Sequence, residues 1–526
     1  MKFSASFPRP LFFLTVSSLF LGMLLTTNCG SSSSNAVKAQ GNTAVSVFLS
    51  GTANAELAEY DIQLQSITLT NQAGTSVTLL SAPQPSEFIH LNGQIEPLVT
   101  VTVPQDTYTA ANVTLATPEF INTQYEPTQN ALAICEYGSG NPTITVNLPS
   151  PITVTGDNMG LVLNLQVSQS TGPFSCSPYT GATPSPTFNL TPLAISAQAT
   201  NPANGKVIGM EASVASIASS GASLTLSVTA GPFGNRTLSA STNDSTVFQG
   251  LGNASALAAG MFVNLDGTVQ SDGSLLASRI EVENPSAINI WTGPLLQVDS
   301  IVPVLLMYGR QEQGPLFTGP NGNSGVYMDI PFFDFSAATF GTSGQISNLQ
   351  TLPFVPTFND TNLVAGQTVD ITSPDFVFGG GLYTPANTIT LIPQTVNGTV
   401  ESTSTSGNFT IYTVLLAPYD QFPNLAQQSY QVSTITNPSE VEVYVDSNTQ
   451  KLNTQTLATG NTFRFYGLVF NDSGTLRMDC VQLIDGVAFA PTSGARSQLA
   501  KGATRTVRRV GPTDLPPVII TSTQSQ

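Results

Sequence analysis

Apolar and polar residues alternate along most of the chain after residue 42, the period-two signature of half-buried β-strands. Thr43 to Ser50 reads as an opening strand. Tyr60 to Thr70 alternates with Ile62, Leu64, Ile67 and Leu69 as apolar positions, and the phase slips near Ser66, which predicts a β-bulge. Asn71-Gln72-Ala73-Gly74 reads as a hairpin turn with Thr75 to Leu80 as its return strand. A turn after Val103 leads into a strand starting near Tyr108, and Gly160 to Val167 is another strand. Short strands at this spacing predict a two-sheet β-sandwich over residues 43–199. Amphipathic helical patterns are nearly absent after the first 28 residues.

From residue 205 onward the pattern repeats. Leu257-Ala-Ala-Gly260, Leu363-Val-Ala-Gly366 and Leu457-Ala-Thr-Gly460 each precede an alternating run, a hairpin and a second run. Each glycine permits a tight turn that a β-carbon would oppose. Asp272-Gly273 and Ser473-Gly474 supply hairpin turns. The openings also align, Gly209 to Ile217 with Gly293 to Ile301, and Gly398-Thr-Val-Glu-Ser more loosely. The period predicts three small β-barrels of about five strands with an OB-like layout. Their ranges are 205–286, 287–395 and 396–490. The second repeat departs from the others by an insertion around Gly314 to Phe340 and a longer, Gly-rich hairpin from Ser373 to Pro385.

The first residues carry an address rather than a fold. Lys2 and Arg9 precede an apolar run from Leu11 to Leu25, the length of a signal-peptide core and too short to span a bilayer. Leu25-Thr-Thr-Asn28-Cys29 then resembles a bacterial lipobox, although Asn28 stands where lipoboxes carry Gly, Ala or Ser. That resemblance implies a signal peptide over 1–28, lipidation at Cys29 and a Ser-rich tether over 29–42. The alternative is simple secretion after Val37-Lys38-Ala39. No later segment is apolar enough for a transmembrane helix.

Two domain families enter on their residues. Tyr60-Asp61-Ile62, Ser66-Ile67-Thr68-Leu69 and Val103-Pro104 leading to Thr107-Tyr108 resemble DUF4382, an uncharacterised domain of bacterial envelope lipoproteins. The repeated Leu-x-x-Gly strand–hairpin–strand pattern resembles DUF5666, found in similar exported proteins. Both resemblances imply a fold and a compartment, and neither implies an activity.

Composition narrows the partners. Only 9% of residues are charged, the net charge is −17, and no Lys or Arg lies between Lys38 and Lys206. A nucleic-acid surface needs clustered cations, so that partner is excluded for the body. Arg496, Lys501, Arg505, Arg508 and Arg509 gather five of the 15 basic residues into a segment, 491–526, that reads as a disordered basic tail. Contact with an anionic envelope polymer or lipid is its sharper reading.

Of four cysteines, Cys29 is the lipidation candidate, Cys135 and Cys176 are a candidate disulfide in an oxidising compartment, and Cys480 reads as a buried thiol. No Cys/His cluster suggests zinc, no Asp-rich loop suggests calcium and no glycine loop suggests a phosphate cofactor. His90 is the single histidine and reads as structural.

The candidate ligand surface is the aromatic and acidic run Tyr327, Asp329, Phe332, Phe333 and Asp334, together with Trp291. Sugars stack on exposed aromatic faces, and acids accept their hydroxyl hydrogen bonds. The bland alternative is that these aromatics fill the core. An acid-pair glycoside hydrolase is a weaker reading again. The sequence therefore predicts an exported all-β protein, lipid-anchored at the outer membrane or cell surface, with periplasmic or secreted placement as the alternative. Its expected role is a non-catalytic scaffold or binding module without cofactor or metal. Extracellular polysaccharide or envelope proteins are its candidate partners.

Overall fold

Alternation becomes strand pairing throughout the computed structural model. It describes residues 41–51, 59–87, 91, 95–126, 131–138, 143–165, 195–200, 205–218, 221–229, 235–282, 289–299, 302–313, 328–329, 331–343, 349–374, 383–417, 420–425, 435–486 and 518–523. Among these residues no helix is long and apolar enough to cross a membrane.

The first strands are β1 (Asn42–Gly51), β2 (Glu59–Asn71), β3 (Ser76–Leu80), β4 (Gln84–Glu87), β5 (Ile95–Pro104), β6 (Thr107–Glu126), β7 (Ala131–Gly138), β8 (Thr143–Thr153), β9 (Asn158–Leu165) and β10 (Ile195–Ala199). One sheet runs β10-β9-β1-β5 and the other β3-β2-β6-β7, with β4 beside β2 and β8 beside β6. Their facing sides share a core. Val45, Val47, Leu49, Val103, Leu161 and Leu163 meet Leu64, Ile67, Leu69, Ala111 and Val113. Each such side chain contributes about 1.5–3 kcal/mol by leaving water. The slip expected near Ser66 is a register shift between Leu64 and Ser66, which keeps Leu64 and Ile67 on the same buried face. Gly74 takes φ +82° and closes the Asn71 turn. The Val103-Pro104…Tyr108 segment is a tyrosine corner: the buried Tyr108 hydroxyl donates to the Pro104 carbonyl at 2.9 Å.

The first repeat holds β11 (Lys206–Ile217), β12 (Ser223–Thr229), β13 (Asn235–Ser241), β14 (Val247–Gln249), β15 (Phe262–Val269) and β16 (Leu275–Val282). The second holds β17 (Asn289–Asp299), β18 (Val304–Met307), β19 (Gly309–Gln313), β20 (Met328–Asp329), β21 (Phe332–Asp334), β22 (Thr339–Thr342), β23 (Thr368–Ser373), β24 (Thr384–Pro385) and β25 (Thr388–Leu391). The third holds β26 (Gln394–Ser406), β27 (Phe409–Leu416), β28 (Glu440–Val445), β29 (Gln450–Lys451), β30 (Thr462–Asp472) and β31 (Thr475–Asp485).

In the first repeat the order is β13-β12-β11-β15-β16, closed by parallel pairing of β13 with β16. The third has the same order, closed by β28 with β31. A first strand between the second and fourth, and a third parallel to the fifth, make a closed five-stranded OB-like barrel. In the second repeat β21 meets β24, and β24 leads into β25 after a break at Ala386 and Asn387. β19, just before the insertion, pairs with β17 and with β20 inside it.

One backbone clasp recurs in all three repeats. Gly260, Gly366 and Gly460 have φ of +88°, +96° and +88°. Their N–H groups donate to the carbonyls of Val214, Leu295 and Val400, each at 2.8 Å. The N–H groups of Val214, Leu295 and Val400 donate back to the residues after those glycines. Just past the clasp, each first strand carries a register shift, at Val214/Ser216, Leu295/Gln297 and Val400/Ser402. This equivalence corrects the alignment of the openings. Gly293 and Gly398 correspond to Ala212, not to Gly209, because all three pair with the third residue after the clasp glycine. Gly209 instead sits at a separate irregularity between Val207 and Met210, at φ +69°.

The segment 491–526 also departs from expectation. Residues 491–517 lie outside the described ones, but β32 (Val518–Thr523) is a strand rather than disordered tail, and it pairs in parallel with β7. Five of its six residues are β-branched, which favours a pleated conformation.

Candidate functional site

The aromatic run predicted as a ligand surface is divided by the fold. Trp291 and Phe333 are 0% exposed and belong to the second repeat's core with Leu295, Leu305, Val369 and Ile371. They are not surface residues, because the pleat points them at the barrel interior. Phe332, one residue earlier, is half-buried with its ring 6.2 Å from Tyr383. The Asp334 carboxylate accepts the Ser336 N–H at 2.8 Å and serves as a turn cap. Asp329 lies in β20 opposite Gly309. Its side chain, like Tyr327, Cys29, His90 and Cys176, lies outside the described residues. Cys135 occupies β7 opposite Asn122. Cys480 is a buried free thiol, and burial together with Asp479 pushes its pKa up.

What the structure does assemble lies between domains. An OB barrel offers ligands the face of its second and third strands and the loop between its fourth and fifth. In the first repeat that side meets the sandwich. The β15–β16 loop docks through Gly160 N–H to the Ser271 carbonyl at 3.0 Å and Thr200 Oγ1 to the Gln270 carbonyl at 2.6 Å. Gly160 and Gly273 let the two backbones touch; a Cβ on Gly160 would come within 2.9 Å of the Gly273 Cα. Phe48, Ile95 and Val162 of the sandwich join the barrel's apolar cluster. Arg236 on β13 pairs with Glu96 on β5 at 3.2 Å, and Arg310 of the second repeat approaches the same carboxylate at 3.8 Å.

The corresponding side of the third repeat is covered by the second. The Phe354 ring packs tilted 4.9 Å from Tyr444 and edge-on 5.9 Å from Phe470, and the Arg477 guanidinium lies 5.2 Å from its ring centre. The fully buried Gln367 accepts the Val364 N–H and donates to the Val469 carbonyl at 3.0 Å, which ties the two repeats through a satisfied polar contact. The Phe422 ring packs against Gly366, where a Cβ would lie 2.8 Å away.

Two cationic side chains lie near these joints, Arg279 buried and Lys206 half-buried. On the first barrel Arg279 bonds Asp266 at 2.8 Å and Asn264 at 2.9 Å, and also pairs with Glu281. Burial opposes its charge, but Asp266 and Glu281 outweigh it and raise its pKa. Lys206 reaches across to the Val481 carbonyl of the third repeat at 3.1 Å. Burial lowers its pKa, partly offset by Cys480, Asp266 and Asp446. Among the described residues no group of three or more His, Cys, Asp or Glu is placed to hold a metal ion.

Asp420 is the group best placed to report on pH. It is 2% exposed and accepts backbone N–H groups of Asn397, Gln421 and Phe422. Burial outweighs those bonds and pushes its pKa up to about 7. A raised folded-state value means that its favourable contribution is full below the unfolded carboxyl pKa of about 3.9 and is lost as pH rises through about 7. Asp420→Asn is therefore expected to flatten the fall in stability between pH 5 and pH 8, a difference of a few kcal/mol by urea unfolding. An unchanged slope in the variant would remove Asp420 as its source.

Glu96, Arg236, Arg310 and Gln367 were not legible in the sequence, since a polar residue on a strand or in a turn reads as solvent-facing until a second layer covers it. Isolated arginines in a chain this poor in cations were the available signal.

Known proteins match one part of this arrangement. Residues 213–281 match the family model described as domain of unknown function DUF5666. The DUF5666 segment runs from the Val214 clasp to the end of the first barrel, so the clasp, its glycine and the β15–β16 hairpin all fall inside it. No curated protein matches the sequence. Among solved structures, Drosophila Unr CSD456 is similar at 9% identity with a TM-score of 0.12, covering 54% of this chain and 98% of that one.

Proposed function

We propose that this protein is an exported, lipid-anchored, non-catalytic scaffold of the cell envelope, with a DUF4382-like sandwich and DUF5666-like repeats held on a tether by Cys29. The observation that carries the scaffold reading is the use of the barrel faces. The side by which OB barrels take ligands is covered by the sandwich in the first repeat and by the second repeat in the third. Faces spent on intramolecular contact favour a stiff body over three separate binding modules. The lipobox-like sequence and the low charge support the compartment.

A carbohydrate-binding reading loses its main platform, because Trp291 and Phe333 are core. Its remaining support is the half-buried Phe332 beside Tyr383. A ligand there is expected to be lost in Phe332→Ala while the protein stays folded, as read by glycan binding alongside circular dichroism.

The compartment is tested by fractionation and protease shaving of intact cells, comparing wild type with Cys29→Ala. The wild type is expected in the membrane fraction and the variant in the soluble fraction. Equal solubility of the two would replace the lipoprotein reading with simple secretion. Shaving of the wild type only after the outer membrane is opened would place the scaffold in the periplasm.

A further inference from the structure

The edge of the sandwich at β7 is occupied in an unusual way. β7 pairs antiparallel with β6 on one side, from Glu119 opposite Gly138 to Glu126 opposite Ala131. On its other side it pairs in parallel with β32, from Val518 opposite Leu132 to Thr523 opposite Tyr137. Every other pairing in that sheet is antiparallel among the described residues. The strand completing the edge thus arrives from outside the domain, which is the geometry of β-strand addition. Its sequence Val-Ile-Ile-Thr-Ser-Thr has no charge and no proline, so every residue from 518 to 523 can enter the ladder.

The connection is long enough for this strand to reach a second copy. Residues 486–517 separate the end of β31 from β32, and extended they reach at most about 115 Å, more than the width of a domain of this size. That connection holds Arg496, Lys501, Arg505, Arg508 and Arg509, in a chain whose net charge is −17. A basic linker is attracted to an acidic body, whether its own or a neighbour's. Exchange between two copies would reuse the same register and require no new surface, the condition under which strand swapping costs least. We propose that the β7 edge is a strand-accepting site whose partner is the 518–523 strand of a second copy of this chain. The intramolecular arrangement is its closed form, favoured in dilute solution by the high effective concentration of a tethered strand. Crowding on a membrane surface favours the exchanged form.

The test uses a chain ending at residue 510 as acceptor. The probes are a labelled peptide of residues 516–524 and the full chain as donor. The acceptor is expected to bind the peptide one to one and to slow amide exchange across residues 131–138. The full chain, whose edge is filled, is expected to bind it at least about ten-fold more weakly. Native mass spectrometry of acceptor mixed with full chain is expected to show a mixed dimer that excess peptide dissolves. Peptide binding without any mixed dimer at high concentration would reduce β32 to an intramolecular closure and overturn the exchange. No peptide binding, with equal amide exchange at 131–138 in the acceptor and the full chain, would overturn the site itself. Should the shortened chain fail to fold, the full chain carrying Ile519→Pro and Ile520→Pro serves as acceptor, since proline removes the ladder donors without shortening the linker.

Discussion

Replacing Trp291 by Ala is expected to remove about 3–5 kcal/mol of stability, the cost of emptying a fully buried large aromatic site. Trp291 sits on β17, the strand that pairs with β18, β19 and β23 and so organises the second repeat. Room for its ring comes partly from Gly309, where a Cβ would lie 2.9 Å from the Trp291 Cε3. The cavity left by Ala cannot close without moving several strands. Urea unfolding followed by circular dichroism gives the number. As the single tryptophan, Trp291 also gives a direct check in the wild type: its emission is expected to be blue-shifted and insensitive to added quencher. A stable Trp291→Ala variant, or a quenchable wild type, would return this residue to the surface and revive the sugar-stacking reading.

Glu96→Gln is expected to cost about as much, roughly 3–5 kcal/mol, though it changes almost no volume. Glu96 is 17% exposed at its side chain and faces Arg236 at 5% and Arg310 at 11%. The amide keeps the shape and removes the negative charge that Arg236 and Arg310 both face in this contact. Removing one partner of a largely buried ion pair takes this favourable contact from the other without restoring its hydration, which is why the isosteric change is costly. Arg236 belongs to the first barrel and Arg310 to the second repeat, so the damage should spread across both. Amide exchange is expected to quicken in β13 and β19 together. A urea midpoint within experimental error of wild type would show that the three-domain contact is open to solvent and unimportant.

Local features of the fold were legible in the sequence because local rules control them. The Ser66 bulge, the Gly74 turn, the three clasp glycines and the Asp272-Gly273 hairpin each follow from backbone conformations that few residues adopt. Three other features were not legible. Gly209 and Gly293 look equivalent in sequence but answer different needs. Gly293 lies where the Tyr308 carbonyl crowds any side chain, whereas Gly209 relieves a bulge. The alternation that places Phe333 on one face of β21 and Phe332 on the other does not say which face another layer covers. A six-residue apolar-polar run after a basic segment carries no sign that its partner is β7, far back in the chain. Long-range contact decides all three, as it decides the placement of Glu96, Arg236 and Gln367.

With the ligand-side faces of the first and third barrels covered by the sandwich and the second repeat, sandwich and repeats are expected to behave as one stiff body. Differential scanning calorimetry of the full chain tests it most directly. Independent domains on linkers would unfold in separate steps, whereas interlocked ones share a transition. One endotherm is expected, with a calorimetric to van't Hoff enthalpy ratio of about one, broadened or split by Glu96→Gln. Two or more resolved transitions in the wild type, unchanged by that substitution, would contradict it.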